Sequence, residues 1–398
     1  MEKLLIEYAN EKNIILKLNE KDKFNSYPLL WACDGNIEMI KLLFEYANKN
    51  NILLKINEIE DKGIYPLLLA YANEDIELAK LLFDYANENN IILDLNKKDN
   101  FYGFFPLIFG CISKNTEMMK LLIKYADKNN IILDLNKKIN YGFYPMFSVC
   151  FKGNIETMKL LIEYADKKNT LLELNDNNNG YEKFPLLETC YYNNIEMIKL
   201  LIGYANKKNI VLEMNRKDCY GISPLSISCY NNNIELVKLL MKYAHQNNII
   251  LNLNDKDNDG FYPILWACSK NNIEMIKLLI EYANNNNIVL NINEKNNEGY
   301  NAFHLSIYSK NINILKILIK YANNHNIVFE VNDKDNKDNI LVQAVCFSKN
   351  PELMKLIIKY ADKNNIVLEM NKIDGLGCSP LLIACFENTV KMIELLMS

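Results

Sequence analysis

Cysteine and histidine are the side chains here that could hold a metal ion or act as nucleophile and base, and their spacing limits what they can do. Of 10 cysteines, eight (33, 111, 150, 190, 229, 268, 346 and 385) recur at one register, about 39 residues apart. Ligands on successive layers of a repeat cannot converge on one tetrahedral ion. Helices stacked about 8–10 Å apart also exceed the roughly 7 Å Cα limit for a disulfide, so these read as free thiols packed between layers. Cys219 and Cys378 fall outside the register, in turn-rich segments, and are expected to be exposed. His245, His304 and His325 have no HExxH spacing. No glycine-rich phosphate loop stands out among the 13 glycines, and Asp and Glu recur once per unit rather than as a clustered pair. The expectation is a non-enzymatic chain without metal or cofactor.

The elements that carry these residues repeat. A Tyr-Ala pair occurs at Tyr8, Tyr46, Tyr85, Tyr125, Tyr164, Tyr204, Tyr243, Tyr282, Tyr321 and Tyr360. Eight of the 9 prolines share one repeat position, five residues before the cysteine slot, and Ala302 and Leu341 fill the two remaining slots. Proline suits the first turn of a helix, where its missing N–H would be unpaired anyway. Ile264, Ala267 and Cys268 then fall on one face of a short first helix. After a break at Lys270-Asn271-Asn272, Ile273, Ile276, Leu279 and Ile280 mark a second amphipathic helix, with Asn271 and Glu274 spaced as a capping box. An Asn-rich stop follows. An extended stretch such as Ile288-Val289-Leu290-Asn291-Ile292 then leads through a turn into the next unit.

The string from Asp257 to Cys268, continued from Asn272 to Leu279, resembles an ankyrin repeat. The resemblance covers essentially the whole chain and implies an all-α solenoid of helix-turn-helix units joined by hairpin or extended loops in an elongated, curved stack. The family's period is about 33, so each unit here carries roughly six extra residues, placed after a lengthened second helix. We expect a single array over 1–398, with a partial repeat over 1–20 and about ten repeats from 21 to 398, the last truncated in its second helix. Neither end shows a polar capping repeat, which suggests further repeats or a subunit covering the ends.

The Thr slot of the motif holds Tyr27, Tyr65, Phe105, Tyr144, Phe184 and Tyr262, and the His slot of the same units holds Leu30, Leu68, Ile108, Phe147, Leu187 and Leu265. Both polar partners are thus replaced together, which can be nearly neutral. Asn301 with His304 and Ser223 with Ser226 keep a polar pair, whereas Ile340 opposite Gln343 does not fit. The many asparagines read as caps and turns that any polar residue could fill.

The resemblance implies a non-catalytic protein-protein interaction scaffold or adaptor whose partner protein or peptide lies along the concave face. The position six past the proline slot holds Phe151, Tyr191, Tyr230, Tyr308, Phe347 and Phe386, and Phe143, Ile222 and Phe261 stand two before the slot. Exposed aromatic rows are typical binding anchors; the competing reading is that each ring lies against its neighbour. A second form of the function is the recognition arm of a larger assembly, a ubiquitin-ligase adaptor or an effector. Lys+Arg 45 against Asp+Glu 49, with Arg216 the sole arginine, gives no basic excess for nucleic acid or anionic membrane. Without a signal-like or membrane-length apolar run, the expected compartment is the cytoplasm.

Overall fold

The computed structural model describes residues 7–9, 11–177, 182–336 and 339–397. The half-helix expected over Met1 to Tyr8 lies outside them except at positions 7–9, which are helical. Two compact units divide the chain, Met1–Leu212 and Glu213–Ser398. Each contains five helix pairs among the described residues. In the first, the pairs are α1 (Pro28–Ala32) with α2 (Ile37–Lys49), α3 (Pro66–Ala72) with α4 (Ile76–Glu88), α5 (Pro106–Ile112) with α6 (Thr116–Lys128), α7 (Pro145–Lys152) with α8 (Ile155–Lys167), and α9 (Pro185–Tyr191) with α10 (Ile195–Lys208). In the second they are α11 (Pro224–Tyr230) with α12 (Ile234–Gln246), α13 (Pro263–Ser269) with α14 (Ile273–Asn285), α15 (Ala302–Tyr308) with α16 (Ile312–Asn324), α17 (Leu341–Ser348) with α18 (Pro351–Lys363), and α19 (Pro380–Phe386) with α20 (Val390–Met397).

Proline or its stand-in begins every first helix, as the recurrent slot predicts. The longer helices open on a side-chain cap: Asn36 Oδ1 accepts from the Met39 N–H, Asn194 Oδ1 from Met197, and Asn272 Oδ1 from Met275. The cap of α14 is therefore Asn272 rather than Asn271, which sits in the left-handed region at φ 56. Asparagine tolerates that region because its short polar side chain bonds locally. A left-handed Asn follows each second helix from α2 to α18, for instance Asn90, Asn130 and Asn169, where glycine is the usual solution.

Within each unit first helices pack on first helices (α3 on α5, α5 on α7; α11 on α13, α13 on α15) and second on second (α4 on α6, α6 on α8). The core runs between them through residues such as Leu107, Ile108, Met118 and Leu122 in the first unit and Ile264, Leu265, Met275 and Leu279 in the second, all of them buried. Burying each such side chain contributes about 1.5–3 kcal/mol. Cys33, Cys111, Cys150, Cys190, Cys229, Cys268 and Cys346 are buried free thiols between these helices. Cys385 departs from the expected burial and is exposed, because it sits on α19, against which no further described layer packs.

No strand forms among the described residues; the arm between one layer and the next is extended but pairs through side chains. Asn96 Nδ2 donates to the Ile132 carbonyl at 2.8 Å while its Oδ1 accepts from the Asp134 N–H at 3.0 Å. Asn57, Asn136, Asn215 and Asn254 make the same bidentate bridge to the next arm. The Tyr of each Tyr-Ala pair clamps the preceding arm: the Tyr125 hydroxyl donates to the Ile91 carbonyl and accepts from the Leu93 N–H, and Tyr164 does so with Ile131 and Leu133. The expectation that any polar residue could replace these asparagines is corrected: only a side chain with donor and acceptor on one short arm satisfies both main-chain groups.

The Thr slot is corrected similarly. Tyr27, Tyr65, Tyr144 and Tyr262 are buried rings, but their hydroxyls donate across the layer to the carbonyls of Glu58, Lys97, Asp176 and Glu294. The polar contact has moved between layers instead of disappearing. Gln343 explains the misfit opposite Ile340: its Oε1 accepts from the Ile340 N–H and its Nε2 donates to the carbonyls of Lys372 and Cys378.

Candidate functional site

In several layers the hairpin tip and the first helix meet as an aromatic cluster. In the first unit Phe143 stands edge-on to Phe147 at 4.8 Å and to Phe151 at 5.7 Å, and Phe151 in turn meets Tyr192. Tyr191 is half-buried, with the Lys183 ammonium 4.0 Å from its ring centroid. In the second unit Phe261 stacks on Trp266 at 3.9 Å, Tyr230 meets Trp266 edge-on at 4.8 Å, and Lys270 covers Tyr230 at 4.3 Å. Tyr308 packs edge-on against Tyr300, and its hydroxyl donates to Asp335 Oδ2 at 3.2 Å. Ile222 is half-buried, whereas Phe347 and Phe386 are exposed. Phe151 and Tyr191 lie in one unit and Tyr230 in the other.

One apolar concavity involves residues outside the anticipated row. A cavity of about 370 Å³ opens in the first unit, walled by Ile64 before α3, Leu68, Leu69 and Ala72 on α3, and Phe109 on α5, with Phe101, Tyr102 and Phe104 from the next hairpin. Lys62 and Asp99 supply its polar rim. Phe104 stacks on Phe109 at 5.0 Å and meets Tyr102 at 5.9 Å, which fixes the aromatic wall. Asp99 shapes the tip, its carboxylate accepting from the N–H groups of Phe101, Tyr102 and Phe104. Gly63, at φ 82, is needed where the hairpins abut: a Cβ there would lie 2.5 Å from the Asn100 nitrogen. The sequence signal for this cavity is a gap in the aromatic pattern. Ile64 and Ala72 stand where Phe143 and Phe151 stand two layers on, so this layer, like the one before it with Ser26 and Asp34, lacks both rings.

Charge at the sites is spent on linking layers. Asp127 is held below the usual carboxylate range by Lys167 and Lys168, and Asp166 by Lys207 and Lys208. Lys41 joins Glu38 to Glu77 of the next layer, so the expected solvated helix face also bridges layers. His304 is buried in the capping box of α15, its Nδ1 2.8 Å from Asn301 Oδ1, and burial with Lys295 nearby lowers its pKa to about 4. His325 instead lies at the surface beside Asn284. Among the described residues no group of three or more His, Cys, Asp and Glu side chains is arranged to hold a metal ion, and no helix is long and apolar enough to cross a membrane.

Comparison with known families gives three matches to ankyrin repeats, over residues 67–171, 146–250 and 246–329, together more than half of the chain. The chain belongs to the ankyrin-repeat family. No curated protein matches the sequence. The cavity lies in the region where the first match begins, with Leu68, Leu69 and Ala72 inside it. Ankyrin repeats are general protein-protein interaction modules, and the apolar cavity and clustered rings of this ankyrin-repeat chain have to be read in that light.

Proposed function

We propose that this chain is a non-catalytic binding scaffold that takes a segment of a partner protein into the cavity between α3, α5 and the hairpin of Phe101–Phe104. The observation that carries the reading is the cavity itself: its walls are apolar and aromatic, its rim holds one cation and one anion, and its volume suits one large apolar side chain with part of the adjoining main chain. Tyr191 and Tyr230 each carry a lysine ammonium near the ring, and Tyr230 stays exposed beside it. The cytoplasm remains the proposed setting, with no nucleic acid or membrane as partner, given the near balance of Lys+Arg 45 against Asp+Glu 49.

A random-peptide display selection against the full chain tests this, with each recovered peptide rebound to Ala72→Trp. Ala72 is exposed at the cavity, so the indole should fill the space without disturbing the core. The reading requires apolar or aromatic peptides that bind the natural chain and lose binding to Ala72→Trp. Peptides that bind both chains equally would place the binding surface elsewhere.

A further inference from the structure

The arms of the first unit carry an exposed aliphatic residue in every layer: Ile15, Leu53, Ile92, Ile132, Leu171 and Val211. Their equivalence is fixed by hydrogen bonding, since the carbonyls of Leu53, Ile92, Ile132, Leu171 and Val211 each accept from the Asn of the preceding arm. The arm main chain is largely committed to these Asn and Tyr bridges, so an added strand is not what this edge offers. It offers a row of side chains. None of them lines the cavity described above.

Two residues beyond the aliphatic of each of the first four arms stands a charge whose sign reverses along the row: Lys17 and Lys55 are followed by Asp94 and Asp134, and the fifth arm stays negative at Glu173. The residue three further on reverses with it: Glu20 and Glu58, then Lys97 and Lys137. Within arms the two pair locally, Lys17 with Glu20, Lys55 with Glu58 and Asp134 with Lys137. Each of the four arms is thus a small dipole, and the dipole flips between the second and third.

We propose that a second copy of this chain docks on this row, antiparallel, about a two-fold axis that passes between the second and third arms. Such an axis lays the first four arms on the same four arms of the other copy and leaves those of Leu171 and Val211 outside the contact. Aliphatics then meet aliphatics, Lys55 faces Asp94, Lys17 faces Asp134, Glu58 faces Lys97 and Glu20 faces Lys137. Exposed ion pairs add little affinity singly, but they set register and exclude wrong partners. Four layers about 10 Å apart and an arm up to about 20 Å across approach the roughly 800 Å² per partner of a standard interface. The second unit serves as an internal control. It bears the same kind of exposed aliphatics, Ile250, Val289, Val328 and Val367, but its charge row reads Glu213, Asn252, Asn291, Glu330 and Glu369, with no reversal.

Sedimentation equilibrium of the full chain tests the proposal. The natural chain should dimerise, more weakly as salt rises. Leu53→Lys with Ile92→Lys should raise the dissociation constant at least about tenfold, whereas Ile250→Lys with Val289→Lys should leave it unchanged. Lys55→Asp should weaken the dimer about tenfold, and adding Asp94→Lys in the same chain should restore it, because the two positions face each other across the axis. A natural chain that stays monomeric up to about 100 μM, a dimer indifferent to the Leu53 and Ile92 changes, or a charge swap that fails to rescue would overturn it.

Discussion

Asparagine recurs at positions that ask different things of it. Asn272 caps a helix, Asn271 takes a left-handed turn, Asn286 closes the end of a helix by donating from Nδ2 to the Tyr282 carbonyl, and Asn293 bridges to the next arm by donating to the Val328 carbonyl. The bridging role makes the sharpest demand. Asn96→Asp keeps size and shape but loses the donor and aims an anion at the Ile132 carbonyl, so it should destabilise by about 1–3 kcal/mol. Urea unfolding would measure this; an unchanged midpoint would mean that the bridge adds nothing. These bridges were not legible in the sequence because the other half of each is main chain, which leaves no residue pattern at the receiving end. The hydroxyls of Tyr27, Tyr65, Tyr144 and Tyr262 were missed for the same reason: a ring in an apolar slot looks like core until its acceptor one layer away is located.

His304 gives a residue-scale pH dependence. Its pKa is about 4 in the folded chain against 6.5 when exposed, so between those values the unfolded chain binds more protons. Its contribution is therefore complete above about pH 6.5 and is lost as pH falls toward about 4, a change of roughly 3 kcal/mol at most. Asn301→Tyr with His304→Leu copies the pair found at Tyr262 and Leu265. Between about pH 7.5 and about pH 5 the natural chain should lose about 2 kcal/mol more than the double variant in denaturant unfolding. Equal losses would show that His304 is protonated without penalty.

At the scale of the element, the short first helix, the long second helix and the arm were all readable. Period, proline slot and apolar spacing placed Pro263–Ser269 and Ile273–Asn285, because each signal is local to the element it defines. The layer packing of the cysteines followed from the same period, except at α19. Burial pushes the thiols up, Cys33 and Cys346 to about 12, with Cys111 and Cys229 raised further still. Since thiolate is the reactive form, a thiol reagent should modify Cys219 and Cys385 first and Cys378 more slowly in the native chain. The seven buried thiols should wait for unfolding. Native labelling of Cys111 as fast as Cys219 would contradict the packing described for α5.

At the scale of the molecule, family and repeat architecture were in the sequence, and the cavity was not. Its walls come from two successive hairpins and two first helices, and its cause is the small or aliphatic side chain at Ala72 and Ile64 rather than the presence of any ring. A search for rows of aromatics therefore points to the filled layers and passes over the open one. The proposed partner site is the cavity beside Ala72. The most direct test is the dissociation constant of one display-selected peptide for three chains: natural, Ala72→Trp, and Tyr191→Ala with Tyr230→Ala. Filling the cavity should weaken binding at least about tenfold, while the double tyrosine variant should stay within about threefold of the natural chain. The reverse order, full affinity for Ala72→Trp and loss with the tyrosines, would contradict it.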